Sequence, residues 1–254
     1  MRVLITNDDG VRAPGLLALC ESLSALGEVV AVAPDRPRSA CGHAITLHKP
    51  LRAVPVEMPG GGRGFACSGT PVDCVALGTS EHLGGPPDLV VSGINLGPNL
   101  GQDMTYSGTV AGAVEAAICG LPSFAISIAS YEADDFAPAA RFARYLAEAV
   151  LARGLPPETF LNVNVPAVAS GGIAGVALTR KGTIRYDNRI ELRTDPRGMN
   201  YYWLTGERVD YEDHPDTDVA AVALNRISVT PVSLDMTDRK LLADLKGWDL
   251  SWTG

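Results

Sequence analysis

The chain has 254 residues, of which 46% are apolar and 20% are charged, so it fits one globular α/β domain and not a disordered chain. Its net charge is −8, from 21 basic and 29 acidic residues, and it has no run of Lys and Arg. Binding to duplex nucleic acid through phosphate neutralisation is therefore not expected.

Cysteine usage and the lack of targeting signals favour a cytoplasmic protein. The five cysteines are odd in number and show neither CxxC nor Cys/His metal spacing, which favours buried, reduced thiols. The sequence begins directly on a strand-like segment, Arg2–Thr6, and no apolar run is long enough to cross a bilayer. We therefore expect no membrane partner.

The first elements alternate between strand and helix. Residues 3–5 form a short apolar run typical of a buried parallel strand, and a polar loop follows at residues 7–10. Pro14 suits the first turn of a helix that Gly27 closes. Residues 29–33 predict a second buried strand.

The same alternation continues through the middle of the chain. Residues 88–92 predict a strand, followed by a Gly/Asn-rich stretch at 93–108 and a helix at 109–119. The next elements are a strand at 124–129, a helix at 137–153 and a strand at 160–165. This order predicts an α/β core over residues 1–170, a Rossmann-like, mostly parallel sheet with helices on both faces.

The pattern changes in residues 171–254. Alternating β-branched and aromatic residues over 176–209, with a turn signal at 195–198, predict a β-hairpin extension. Such a ribbon is seldom stable alone, so we expect it to pack on another subunit. Asp216 or Thr217 is expected to cap a short helix, and residues 226–232 to return as a strand. The apolar tail after Asp238 also needs a surface on which to dock.

Three polar loops follow directly from predicted strands, at residues 7–10, 34–42 and 93–108. In an open parallel sheet, ligands bind outside the carboxyl ends of the strands. The topology alone therefore predicts that these loops converge on one site.

The first loop places two carboxylates, Asp8 and Asp9, next to each other. Adjacent carboxylates repel and usually share a proton or a cation, and oxygen ligands suit a hard ion such as Mg²⁺, Mn²⁺ or Ca²⁺. An Asx turn in which the side chains bond their own backbone is the alternative. The place at the end of the first parallel strand favours the metal.

The other two loops offer neutral oxygens and phosphate donors. Ser39 is a further oxygen donor for the same ion, and Asn95 offers a carbonyl oxygen to a metal or an amide to a phosphate. Free N–H groups at a helix N-terminus favour phosphate, which makes Ser107, Gly108 and Thr109 candidates. Gly42 and His43, at the end of the second loop, are further candidates for substrate binding.

Several known site patterns are missing from the sequence. It contains no GxxxxGK[ST], no GxGxxG after the first strand, no HExxH and no GxSxG. P-loop, dinucleotide, zincin and nucleophile-elbow chemistry are therefore not indicated.

Ordered segments along nearly the whole chain resemble the SurE family of survival proteins and nucleotidases. They are VLITNDDG, PDRPRSACGHAITL, SGTPVDCV, SGINLGPNLG, YSGTV, LNVNVP, TDVAAV and ISVTPVSLDMTD. The resemblance implies a Rossmann-like core whose C-terminal β-extension exchanges elements between subunits, giving dimers or tetramers. It also implies one divalent metal ion held by Asp8, Asp9, Ser39 and Asn95. Gln102 occupies a loop position that varies among relatives, which concerns substrate preference.

Together these lines predict a metal-dependent phosphatase of nucleoside 5′-monophosphates, with 3′-monophosphates and short polyphosphate as further substrates. Asp8, Asp9, Asn95 and Ser107 are the expected catalytic residues, and either water or one of the two aspartates attacks phosphorus. Two alternatives use the same loops: a nucleotide-sensing module without turnover, and a structural oligomer with a vestigial site.

Overall fold

A computed structural model describes residues 1–187 and 189–252. Nine strands of this part of the chain form one sheet in the order β3-β4-β2-β1-β5-β6-β7-β13-β8. These strands are β1 Arg2–Thr6, β2 Glu28–Pro34, β3 Ala53–Glu57, β4 Arg63–Cys67, β5 Leu89–Leu96, β6 Ser123–Ile128, β7 Thr159–Val165, β8 Val176–Leu178 and β13 Ile227–Ser233.

The six central strands, from β4 to β7, are all parallel. From β1 the chain builds outward through β2 and β4 on one side, and then returns to β5 on the other side of β1. The strand order therefore reverses between β1 and β5, where Thr6 pairs with Ser92. In sheets of this kind the crevice at the reversal is the usual ligand site.

Helices cover both faces of the sheet, as predicted. The covering helices are α1 Pro14–Leu23, α2 Pro71–Gly78, α3 Gly108–Ile118, α4 Ala137–Arg153 and α5 Asp218–Ala223, whereas α6 Arg239–Leu245 has no buried residue. The apolar side chains of α1 and α4 pack with those of the central strands in the largest core cluster. Two smaller clusters on the other face include α2 and α3. Burial on both faces explains why the parallel strands read as continuous apolar runs.

Some strands of the C-terminal part belong to the large sheet, and the others form two separate antiparallel pairs. Strand β13 pairs antiparallel with β7 and parallel with β8. The predicted hairpin is present as β10 Arg189–Thr194 and β11 Asn200–Thr205, which pair antiparallel. Another antiparallel pair joins β9 Ile184–Tyr186 to β12 Arg208–Tyr211.

Most predicted elements are confirmed, with differences in the region between β2 and β5. The hairpin formed by β3 and β4, and helix α2, were not predicted because the segments are short and interrupted by Gly and Pro. The strand predicted at 88–92 continues as β5 to Leu96, so Asn95 lies on a strand and not in a free loop. Thr217, one of the two predicted caps, accepts from the Ala220 N–H at the start of α5.

Two further expectations concern the cysteines and the membrane. All five cysteines are free thiols; Cys20, Cys67 and Cys74 are buried, Cys41 is half-buried and Cys119 is exposed. Within the described residues, every helix is too short or too polar to cross a bilayer.

Candidate active site

The three predicted loops meet at the carboxyl end of the central strands. They line a cavity of about 330 Å³, within the range of about 300–1,000 Å³ found for small-molecule sites. Its described lining comprises Asp8, Asp9, Ser39, Ala40, Asn95, Leu96, Pro98, Asn99, Asp103, Tyr106, Ser107, Tyr131 and Tyr186. All four expected metal ligands and the expected catalytic Ser107 therefore face the same space.

Asp8 is buried at the end of β1, with 5% of its surface exposed. Its Oδ1 accepts a hydrogen bond from the Thr109 hydroxyl at the start of α3. Burial raises the pKa of Asp8; the Thr109 bond opposes this and the charge of Asp9 adds to it, so the pKa lies above the ordinary 3.8. Burial and the charge of Asp9 thus both disfavour the ionised form of Asp8.

Asp9 is half-buried and turns toward the neighbouring strand. Its Oδ2 accepts from the Leu96 N–H at 3.1 Å. Burial raises the pKa of Asp9, against the weaker opposing effect of that bond. A cation bound between these two carboxylates would stabilise their charged forms and lower both pKa values.

Asn7 forms the local turn of the first loop. Its Nδ2 donates to the Gly10 carbonyl at 3.1 Å, and its Oδ1 accepts from the Gly10 N–H at 3.1 Å. The turn-forming role is therefore taken by Asn7, and the side chains of Asp8 and Asp9 reach across to other elements.

The second loop is tied to the first through Arg38. The Arg38 N–H donates to the Asp8 carbonyl at 2.7 Å, and its guanidinium donates to the Ser68 carbonyl at 2.8 Å. These bonds bring Ser39 to the cavity. Arg38 therefore fixes the loop, while Arg36 lies on the surface, 3.9 Å from Asp35.

Asn95 presents its oxygen to the site. Its Nδ2 donates to the Gly97 carbonyl at 2.8 Å, which leaves Oδ1 as the atom available to a ligand. Within the described residues there is no cluster of three His, Cys, Asp or Glu side chains arranged for a metal. The available donors are two carboxylates, one hydroxyl and one amide oxygen, and this all-oxygen set fits a hard divalent cation.

The N-terminus of α3 approaches the carboxylates closely. Ser107 caps the helix by accepting from the Val110 N–H at 3.1 Å. A Cβ on Gly108 would lie 2.8 Å from the Asp8 Cβ and 2.8 Å from the Cys41 Sγ, so a larger residue would push the helix away. Ser107 and Gly108 are thus held beside Asp8, whereas the hydroxyl of Thr109 is engaged by Asp8 itself.

Gly42 and His43 do not line the cavity. The Gly42 N–H donates to the Tyr106 carbonyl at 3.0 Å, and the His43 Nε2 lies 2.9 Å from a Glu115 oxygen on α3. Substrate binding by these two residues stays a prediction that this arrangement does not support.

A network of asparagine side chains holds the third loop against β7. The side chains of Asn162 and Asn164, on β7, donate to the Asn99 carbonyl at 2.8 and 3.0 Å. Asn164 Oδ1 accepts from the Asn99 N–H at 2.8 Å, and Asn99 Nδ2 donates to Ser127 at 2.8 Å. The side chains of Asn99, Ser127, Asn162 and Asn164 are all buried. Asn162 and Asn164 of the LNVNVP segment therefore hold Asn99, and with it the third loop, in place.

The C-terminal part also holds this loop. Gln102 Oε1 accepts from the Ile184 N–H at 2.8 Å, and its Nε2 donates to the Ile184 carbonyl. Buried Asp218 accepts from the N–H groups of Gly101 at 2.9 Å and Gly182 at 2.7 Å. Gln102 therefore anchors the loop to β9 and does not itself line the cavity.

Sequence reasoning did not single out five polar or aromatic lining residues: Asn99, Asp103, Tyr106, Tyr131 and Tyr186. Tyr131 follows β6, so the strand-end argument would have reached it. Tyr186 belongs to β9 in the extension, and its hydroxyl donates to Asp103. No local signal in the sequence indicates that contact.

Comparison with known proteins agrees with the fold. Residues 3–188 match the family described as Survival protein SurE. The chain is 49% identical over 252 residues to the 5′-nucleotidase SurE of Geobacter metallireducens, covering 99% of this chain and 98% of that relative. It is 51% identical over 255 residues to that of Thermosynechococcus vestitus, covering 98% and 96% of the two chains. The crystal structure of the SurE protein from Aquifex aeolicus superposes with a TM-score of 0.84 at 41% identity, covering 97% of this chain and 98% of that one. The chain belongs to the SurE survival-protein family.

Proposed function

We propose that this chain is a 5′-nucleotidase that converts nucleoside 5′-monophosphates to nucleoside and phosphate. Full-length relatives about half identical to it carry that name. The observation that carries the proposal is the adjacent pair Asp8 and Asp9, facing Ser39, Asn95 and the N-terminus of α3 across one cavity. That arrangement joins a cation-binding oxygen set to a phosphate-binding helix end.

The activity is proposed to depend on one divalent cation, Mg²⁺ or Mn²⁺, with Ca²⁺ as a further ion that the site would bind. Asp8, Asp9, Ser39 and Asn95 would hold it, and the raised pKa values of both aspartates support this assignment. When bound, such a cation supplies positive charge that offsets the phosphoryl oxygens and lowers the pKa of water.

The chain's own groups orient the phosphate. The N-terminus of α3, with Ser107 and Gly108 beside Asp8, presents N–H groups and the positive end of the helix dipole to the phosphoryl oxygens. Asp103 adds a negative charge to the lining, and no described lining residue is Lys, Arg or His. The phosphate is therefore expected at the helix end of the cavity.

Two routes of attack fit these groups. In one, the oxygen of water bonds to phosphorus while the bond from phosphorus to the ester oxygen breaks, and that oxygen leaves with a proton as the nucleoside hydroxyl. In the other, an oxygen of Asp8 or Asp9 bonds to phosphorus as the nucleoside leaves with a proton, and water then attacks phosphorus, releasing phosphate and the free carboxylate. The configuration at phosphorus distinguishes them with an isotopically chiral phosphate ester, because one in-line displacement inverts it and two successive displacements retain it.

Phosphate release tests the proposal directly. We would assay nucleoside 5′- and 3′-monophosphates and short polyphosphates with EDTA, and again with Mg²⁺ or Mn²⁺ restored. We expect release from the 5′-monophosphates that EDTA abolishes and the metal restores; the same panel tests the proposed 3′ and polyphosphate activities.

The variant Asp9→Asn ties the activity to the site. We expect it to lose at least about 100-fold in kcat/KM, because it removes one of two charged ligands. Asp35→Asn, a carboxylate outside the cavity lining, is the control and should remain active. Nucleotide binding without release under any metal would instead support the sensing module.

A further inference from the structure

Two groups of cavity-lining residues differ in chemistry. One group holds Asp8, Asp9, Ser39, Asn95 and Ser107, which the proposed reaction uses at the phosphate. The other contains Tyr131, Tyr186 and Asp103, which that reaction does not use. Asp103 places a carboxylate on this side of the cavity, and the cation that acts on it, Arg208, is not among the lining residues, so this side is unsuited to a phosphate dianion.

Tyr131 has a supported ring with an open face. A Cβ added at Gly97 would lie 2.3 Å from its Cε1 and 2.7 Å from its Cδ1, so the ring rests directly on the Gly97 backbone. Gly97 has a φ of +113°, which favours glycine and permits this approach. Tyr131 is nevertheless 75% exposed, so the surface of the ring away from Gly97 is free to contact a ligand.

Two polar lining residues near Tyr131, Asp103 and Tyr186, bond to each other. The Tyr186 hydroxyl donates to Asp103, which holds that carboxylate on the β9 side of the cavity. A tyrosine hydroxyl is protonated at neutral pH, so the ring carries no charge. A flat, uncharged and supported ring beside a phosphate site is suited to stacking with a planar aromatic group.

We propose that Tyr131 is the base-stacking platform of this enzyme, so that the nucleobase lies on its open face while the phosphate is at the N-terminus of α3. The inference rests on the proposed nucleotidase function and names the residue that separates nucleotides from simpler phosphate esters. Stacking on a tyrosine does not read base edges, so the subsite accepts purines and pyrimidines alike.

The test compares AMP with ribose 5-phosphate, which has the same ester and sugar but no base. In Tyr131→Leu we expect kcat/KM for AMP to fall roughly 10-fold or more, with ribose 5-phosphate nearly unchanged. Tyr131→Phe keeps the ring and should retain the wild-type preference for AMP. Tyr145→Leu removes a tyrosine that is 66% exposed on α4, outside the cavity lining, and is the matched control.

A second measurement keeps this inference separate from the proposed activity. Adenosine binding, followed by calorimetry, needs no phosphate release and should weaken by a similar factor in Tyr131→Leu. Tyr131-dependent adenosine binding by a protein that releases no phosphate would overturn the nucleotidase and leave the subsite standing. An unchanged AMP preference in an active Tyr131→Leu, or equal losses on AMP and ribose 5-phosphate, would overturn the subsite. No saturable binding of adenosine to the wild type would also count against it.

Discussion

Thr109 determines how Asp8 is presented to the site. Its hydroxyl donates to Asp8 Oδ1, and its backbone N–H also favours the charged carboxylate. We expect Thr109→Val, which removes the hydroxyl at nearly constant volume, to weaken the apparent affinity for Mg²⁺ by roughly 10–100-fold, as with other groups that orient a metal ligand. Titrating activity with Mg²⁺ measures this directly.

Thr109→Ser separates positioning from general damage, because it keeps a hydroxyl at the same place. It should recover most of the lost metal affinity. A Thr109→Val protein with wild-type metal dependence would show that Asp8 does not need this bond.

At the scale of an element, Asp73 holds helix α2 to the segment before it. Its carboxylate accepts from the Thr70 N–H at 2.8 Å and from the Thr46 N–H at 2.9 Å, and it also accepts from the Thr46 hydroxyl at 2.6 Å. Burial raises the pKa of Asp73, but these bonds outweigh it and hold the pKa below 3.8. The bond from the Thr70 N–H completes a capping box at the start of α2. The bond from the Thr46 N–H tethers α2 to the chain beyond the second loop.

We expect Asp73→Asn to lower the free energy of unfolding by about 1–3 kcal/mol at pH 7. The NH₂ group of the new amide would face N–H and O–H groups that now donate to the Asp73 carboxylate. A group whose folded pKa is lowered contributes stability above its unfolded pKa and loses it as pH falls through the folded value. The difference between wild type and variant should therefore shrink as pH falls below about 4. Denaturant unfolding across pH measures it, and a constant difference would contradict the ionic origin.

At the scale of the whole molecule, the hairpin of β10 and β11 lacks a covering surface in the described chain. All of its strand residues are exposed, and they include Ile190, Leu192, Tyr201, Tyr202, Trp203 and Leu204. An isolated apolar hairpin is marginal in water, and such a patch usually marks an interface. The expected homo-oligomer, a dimer or a tetramer, stays a prediction that this hairpin supports.

Trp203→Glu is the test of that expectation. Placing a charge in the apolar patch should shift the protein to a smaller species in light scattering after size-exclusion chromatography. Tyr145→Glu, an equally large change at an exposed position on α4, should leave the assembly unchanged. A monomeric wild type would contradict the interface.

The sequence by itself determined the alternation of buried strands and helices, and with it the convergence of Asp8, Asp9, Ser39, Asn95 and Ser107. These follow from local periodicity and from the rule that parallel strands end at one edge. Where periodicity was weak, in the short segments of β3, β4 and α2, the prediction missed elements.

Only the tertiary structure decided what surrounds those residues. Gln102 joins Ile184, 82 positions away, and Tyr186 joins Asp103 across 83 positions. Asn7, and not the two aspartates, closes the first loop, while His43 turns to Glu115. The local sequence pattern indicates which face of an element is buried. Contacts between residues far apart in the chain depend on how the elements pack against each other. The spacing of residues along the chain does not encode that packing.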